Sequence, residues 1–426
     1  MVISSHKNKI SILAFVESHF KYMSSSGKAA GGWLRFQEVL NESPEENVQY
    51  DLVDFKAELQ NPIMLGVFAM LFSMISAFIY AIKEIKKGTI QIILSPAEVP
   101  QAIILAYLSS KVMGRKFVTF LNTVPCYGMI DVPALQKNPE KIRFKNLFKV
   151  NYEVNKKPFN AILETLVWYL SLKMIASPSA HIMCLSPFVA EELSKLGLKK
   201  QIVPIYPGNG INYDEISTSI KETPSDKYDA IYAAGNFHRQ KGVFEAIKIW
   251  SKVAARFPEA KMAVAGVIYY KSPQVIGELN VLIRELGLQH NVVILGDPFA
   301  GLPQKNLWQA MKDSKMFIYP TWKDVWPLIV GEALACGLPV IVNDLKSIRL
   351  AYGDCLSTFF VENNDVEAAA KVSIKLLSDD SLLKDLSCKA SQYAESKSWS
   401  NVVKLERQAY LIILTNKNLP QITINS

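Results

Sequence analysis

At 426 residues the chain is too long for one ordinary core, so two domains of roughly 200 residues each are expected. Half of the residues are hydrophobic and a fifth are charged, a globular composition that excludes fibrous and low-complexity chains. The net charge of +8 points to an anionic partner (nucleotide, phospholipid surface or nucleic acid) or to nothing beyond solubility, while five scattered cysteines show no zinc spacing and suit a reduced, cytoplasmic protein.

Short apolar runs punctuate the chain. Ile10–Val16 reads as a first buried strand, since its apolar run is only seven residues long and ends at Glu17 without a small-residue cleavage site. Further strands are expected at Ile90–Leu94, Phe117–Leu121 and His181–Leu185. A second series follows at Ala230–Ala234, Lys261–Val264, Val292–Leu295, Met316–Tyr319 and Pro339–Val342. Amphipathic stretches such as PFVAEELSKLG and VFEAIKIWSKVAARF separate them. Strand–helix alternation predicts parallel sheets covered on both faces, in two halves. The Pro- and Gly-rich stretch VPIYPGNGINYDEI marks the junction. The expected domains are 1–205 and 206–397, with a last helix within 398–426 returning to the first.

Pro62–Ile82 runs 21 residues without a charge and precedes KEIKK. Three readings stand beside one another: a buried crossover helix, a helix lying in a membrane interface, and a true span. A span would cut the βα pattern in half.

Three constellations bear on chemistry. In SSSGKAAGGWLRF, Gly31 and Gly32 either permit close backbone approach to a ligand at a helix start or serve only a tight connection. In AAGNFHRQKGVFEA, Gly235 is expected to make the turn after a strand. His238, Arg239 and Lys241 then crowd the loop before a helix near Gly242, as a phosphate cradle or a solvated basic loop. In KDVWPLIVGEALACGLPVIV, seven residues separate Asp324 from Glu332. A helix beginning near Leu328 would put both acids at the sheet's carboxyl edge, where carboxylates accept sugar hydroxyls. Hydroxyl-reading acids and phosphate-holding cations have one common ligand, a nucleotide-sugar.

These pieces, in this order, resemble the retaining glycosyltransferases of family 4. The similarity spans nearly the whole chain and is strongest from about Tyr206 to Val342. It implies an α/β, GT-B architecture: two Rossmann-like domains with parallel sheets facing across a central cleft. It further implies that Asp324 contacts the transferred sugar, Glu332 the ribose, and Lys241 the diphosphate. The backbone amides of Val325 and Trp326 would hold sugar and phosphate, with Gly31 and Gly32 against the diphosphate. Departures from the family pattern are Asp324 for the usual Glu, Val325 and Pro327 for glycines, Asn236 where an arginine is usual, and Asn122 for a histidine of the first domain. Arg239 would substitute for that arginine, while Asn122 and His238 are candidates for the acceptor side.

Breaking a glycosyl–phosphate bond puts negative charge on the leaving diphosphate, which Arg239 and Lys241 would stabilise without a metal or other cofactor, no DxD-like acidic pair being in a suitable loop. The acceptor is expected in the first domain. There Lys137–Phe159, with seven cations among bulky apolar residues, suits an anionic membrane or is a solvated loop-helix. With Pro62–Ile82 it favours a lipid-linked saccharide acceptor and a cytoplasmic, peripherally membrane-associated protein. Nucleic acid is not expected, because stacking aromatics do not cluster beside the cations. Base recognition would fall near Gly266–Tyr270 or Phe299–Leu302. Two rivals share the donor site: a sugar-nucleotide epimerase or hydrolase, and a catalytically weak nucleotide-sugar or glycan-binding subunit.

Overall fold

The computed structural model describes residues 9–17, 31–55, 63–123, 158–220, 227–235, 237, 239–267, 274–297 and 300–415. The chain forms two units, Met1–Asn209 with Trp399–Ser426, and Gly210–Ser398. The division falls after Asn209, four residues beyond the expected junction, because Gly208 still donates its amide to Leu185 of the first unit.

The first unit begins with β1 (Ile10–Glu17), α1 (Gly31–Glu42), β2 (Val48–Phe55) and α2 (Ile63–Lys86). It continues with β3 (Ile92–Ser95), α3 (Pro100–Met113), β4 (Lys116–Leu121), α4 (Pro158–Ile175), β5 (Ala180–Cys184) and α5 (Pro187–Lys195). Its sheet is wholly parallel in the order β2-β1-β3-β4-β5. The interior strand β1 is buried along its length up to Glu17, as a mostly apolar run requires when helices cover both faces. β2 was not expected from the sequence. As an edge strand it carries Asp51 and Asp54 and is only partly buried, so no apolar run betrays it.

The second unit contains α6 (Tyr213–Ser219), β6 (Ala230–Ala233), α7 (Val243–Arg256), β7 (Met262–Ala265), α8 (Val275–Glu285), β8 (Val292–Leu295) and α9 (Gln304–Lys312). After these come β9 (Phe317–Tyr319), α10 (Leu328–Ala335), β10 (Val340–Asn343), α11 (Lys346–Tyr352), β11 (Thr358–Val361), α12 (Val366–Leu377) and α13 (Asp380–Ser396). The order β11-β10-β9-β6-β7-β8 is that of a doubly wound sheet, again all parallel. Trp250, Tyr232 and Phe317 are fully buried against it. The short edge strand β11 is the other one that the sequence does not announce.

The last helix, α14 (Trp399–Thr415), belongs to the first unit. Its Glu406 forms a buried ion pair with Arg35 of α1, and Arg35 also donates to the Gly208 carbonyl at 3.1 Å and lies 3.9 Å over the Phe120 ring. Tyr410 donates to Glu406 and meets the Tyr50 hydroxyl at 3.1 Å. Desolvation of a buried charge pair is offset only when further hydrogen bonds surround it, and here they do.

Among the described residues no helix is long and apolar enough to cross a membrane. Cys184, Cys336 and Cys355 are buried free thiols, whereas Cys388 is exposed. Most of the basic stretch 137–159 lies outside the described residues, as does Cys126.

Candidate active site

In a doubly wound sheet the crevice for a ligand opens where the strand order reverses. In the second unit that point lies between β6 and β9, which are neighbours although far apart in sequence. The loop after β6 carries Gly235, Arg239 and Lys241, and the loop after β9 carries Asp324, Val325 and Trp326.

The two loops are joined through their backbones. The Trp322 amide donates to the Gln240 carbonyl at 2.9 Å, and the Thr321 hydroxyl donates to the same oxygen at 3.0 Å. From β10, the Asn343 amide donates to the carbonyls of Pro320 and Thr321 at 3.2 and 3.1 Å. Gly242 has φ +80°, and a Cβ there would stand 2.1 Å from the Pro320 oxygen. Only glycine allows both the left-handed turn and that approach. Gly235, expected to make the turn, has no positive φ and open space around it, so the fold's requirement falls on Gly242 instead.

Across this seam the Lys241 ammonium donates to Asp324 Oδ2 at 2.7 Å, with side chains 31% and 17% exposed. The Tyr319 hydroxyl donates to that same oxygen at 3.0 Å, and the Val325 amide donates to Oδ1 at 2.9 Å. Asp324 is thus held by three donors. The Val325 amide, assigned to the sugar and phosphate by resemblance, is turned onto the carboxylate beside it. Burial and the Asp324 charge push the Tyr319 phenol well above its ordinary value, so it stays a donor. Trp326 packs its ring 6.1 Å from Tyr352, whose hydroxyl donates to the Pro327 carbonyl at 2.7 Å.

Helix α10 begins at Leu328 and carries Glu332. Gln304 of α9 donates to Glu332 Oε2 at 3.1 Å. Burial pushes the Glu332 carboxyl up to about 7, with Trp308 and Gln304 opposing the rise. The structure therefore brings Lys241 to Asp324 and sets Glu332 on the helix that follows. Arg239 is engaged elsewhere: it pairs with Glu278 of α8 and lies 4.7 Å over the Phe244 ring. Asn236 and His238 lie outside the described residues, as do parts of both segments expected to read the base.

In the first unit the strand order reverses between β1 and β3. Gly31 and Gly32 open α1 after β1. Asn122, at the end of β4, is buried and donates to Glu98 Oε2 at 3.4 Å, while the Thr123 amide donates to Oε1. Burial raises the Glu98 carboxyl above its ordinary value. Sequence reasoning missed Glu98, Tyr319 and Gln304. The signal for Glu98 was an acid between an apolar strand and a helix opened by Pro100. Tyr319 and Gln304 carry no local signal.

Residues 215–394 match the family model for glycosyl transferases group 1. The second unit is a group 1 glycosyltransferase domain. Lys241, Asp324, Tyr319 and Glu332 all lie inside the matched segment of that glycosyltransferase domain. An uncharacterized glycosyltransferase of Methanocaldococcus jannaschii is 28% identical over 37% of this chain and 37% of its own length. The O-antigen chain mannosyltransferase B of Escherichia coli is 26% identical over 26% of this chain and 29% of its own. The chain thus spans about a third of the length of these two relatives. The N-acetyl-alpha-D-glucosaminyl L-malate synthase of Bacillus anthracis is 23% identical over 75% of this chain and 74% of that one. Among solved structures, Anabaena HepE in complex with UDP aligns with a TM-score of 0.65 at 15% identity, covering 96% of this chain and all of that one. A glycosyltransferase from Rickettsia africae aligns at 0.63 and 17% identity, covering 96% and 100%. The glycosyltransferase domain and the first unit thus share with these proteins a fold of two Rossmann-like, parallel-sheet units, the GT-B architecture.

Proposed function

We propose that the chain is a retaining glycosyltransferase that moves a sugar from a UDP- or GDP-sugar to a hydroxyl of a saccharide acceptor, lipid-linked at the cytoplasmic membrane face. The observation that carries the reading is the Lys241–Asp324 pair at the switch point, with Glu332 on the next helix. Neighbouring solved structures that bind UDP and UDP-glucose support a donor of this class.

In this reading the diphosphate enters beside Lys241, whose ammonium is then shared between Asp324 and phosphate oxygens. Asp324 orients the lysine and accepts a hydroxyl of the transferred sugar. Glu332 accepts ribose hydroxyls, and Arg239 exchanges Glu278 for phosphate. The bond from the anomeric carbon to the phosphate oxygen breaks, and its electron pair stays on the diphosphate. The acceptor oxygen forms its bond to that carbon on the same face. Its proton passes to the departing phosphate, so no protein base is required. Preorganised cations at the developing negative charge lower the barrier. The reaction then needs no metal, and activity should persist in EDTA.

A thermal-shift panel of UDP, GDP, ADP and their common sugars tests the donor site. Stabilisation by one nucleotide, lost in Lys241→Ala, is expected. Unchanged unfolding with every nucleotide would overturn the reading.

A further inference from the structure

We propose that the first unit docks on the surface of an anionic lipid bilayer through the outer faces of α2, α3 and α4. This goes beyond the donor chemistry and does not depend on it. The sequence pointed to α2 as one possible membrane element, but the structure adds α3 and α4.

Large apolar side chains lie open to solvent on all three helices. On α2, Phe72, Ile75 and Ile79 are 75%, 59% and 50% exposed, while Met70, Ala77 and Ala81 on the opposite side are buried. On α3, Leu108 and Val112 are 41% and 63% exposed. On α4, Ile162, Leu166 and Leu170 recur every fourth residue, each at least 40% exposed. Such spacing puts each set on one side of its helix. Helix α3 packs against both α2 and α4, so the three stripes are neighbours on one layer. Isolated exposed leucines need no explanation, but a continuous apolar face across three helices does.

Charge selects the occupant. Each of these helices leads back to the start of the next parallel strand, so their carboxyl ends gather at one edge of the unit. That edge carries Lys83 and Lys86 on α2, Lys87 just after it, Lys111 on α3 and Lys173 on α4, all exposed. Among the described side chains of the three helices Glu84 is the only acid, and it pairs with Lys87. Lys111 and Lys173 lie 5.5 and 5.4 Å over the rings of Tyr107 and Tyr169. An apolar stripe that ends in lysines over tyrosines is suited to acyl chains beside anionic headgroups. No helix among the described residues is long and apolar enough to span, so contact is with the surface. A second copy of the chain is a poorer fit, because a two-fold pairing of this face brings like charges together.

The test is co-sedimentation of the full chain with phosphatidylcholine vesicles, with and without phosphatidylglycerol. Binding is expected to require phosphatidylglycerol and to weaken with salt. The variants Ile75→Asp and Val112→Asp are expected to bind at least about tenfold more weakly while unfolding at the wild-type temperature. A nucleotide thermal shift unchanged in these variants separates this surface from the donor site. Three outcomes overturn the proposal: no binding to anionic vesicles, binding that neither substitution weakens, or a dimer in sedimentation equilibrium that Val112→Asp dissolves.

Discussion

Lys241 donates to Asp324 Oδ2 at 2.7 Å across two loops that are 83 residues apart in sequence. One acid thereby sets the direction of the cation while Tyr319 and the Val325 amide fix the acid. Asp324→Asn keeps the shape and removes the charge. Turnover should fall by about a hundredfold or more, with the dissociation constant of the nucleotide changing less than turnover does. Steady-state kinetics beside calorimetric titration checks this. A loss confined to nucleotide affinity would assign Asp324 to ground-state binding. Tyr319→Phe removes one of the three donors and should cost about 1 kcal/mol of stability with a smaller loss of turnover.

Glu332 gives a pH prediction. Its carboxyl is raised from 4.5 to about 7, so the folded chain holds a proton in this window that the unfolded chain has released. Its contribution to stability is therefore greatest at low pH and declines as pH rises from about 4.5 to about 7. Ligand binding runs the other way, because only the carboxylate accepts two hydroxyls. Nucleotide affinity should weaken by up to about tenfold per pH unit below 7. Both slopes should flatten in Glu332→Gln, and calorimetric titrations between pH 5 and pH 8 would show whether they do.

Two glycines of one loop should behave oppositely. Gly242→Ala drives a Cβ to 2.1 Å from the Pro320 oxygen at a φ of +80°, so the two active loops must separate. Loss of about 3 kcal/mol and of the nucleotide thermal shift is expected. Gly235→Ala meets open space and should leave stability within about 0.5 kcal/mol. Equal effects at the two positions would contradict the backbone contact.

In the first unit, Arg35→Met leaves Glu406 buried and uncompensated, which should cost about 3–5 kcal/mol. The double variant Arg35→Met/Glu406→Leu should lose less than that single change, since no bare charge remains. Urea unfolding of the three proteins, followed by tryptophan fluorescence, gives the comparison.

The central strands and the helix start at Leu328 were legible in the sequence because a strand buried on both faces must be an unbroken apolar run. The loop cations and the two acids were legible because charged groups stand out beside such runs. The edge strand β2 was not, since Gln49, Asp51 and Asp54 interrupt its apolar residues, and the four-residue edge strand β11 was not read either, although three of its residues are apolar. The choice of partner for each charged group could not be read either. Lys241 and Arg239 stand two residues apart, yet one pairs with Asp324 and the other with Glu278. Which cation met which acid was decided by the strand order, which placed β9 rather than β10 or β11 beside β6 at the reversal, together with the Gly242 turn. Hydrophobic patterning acts along the chain and fixes the elements. Ion pairs act through space and wait for the sheet to assemble.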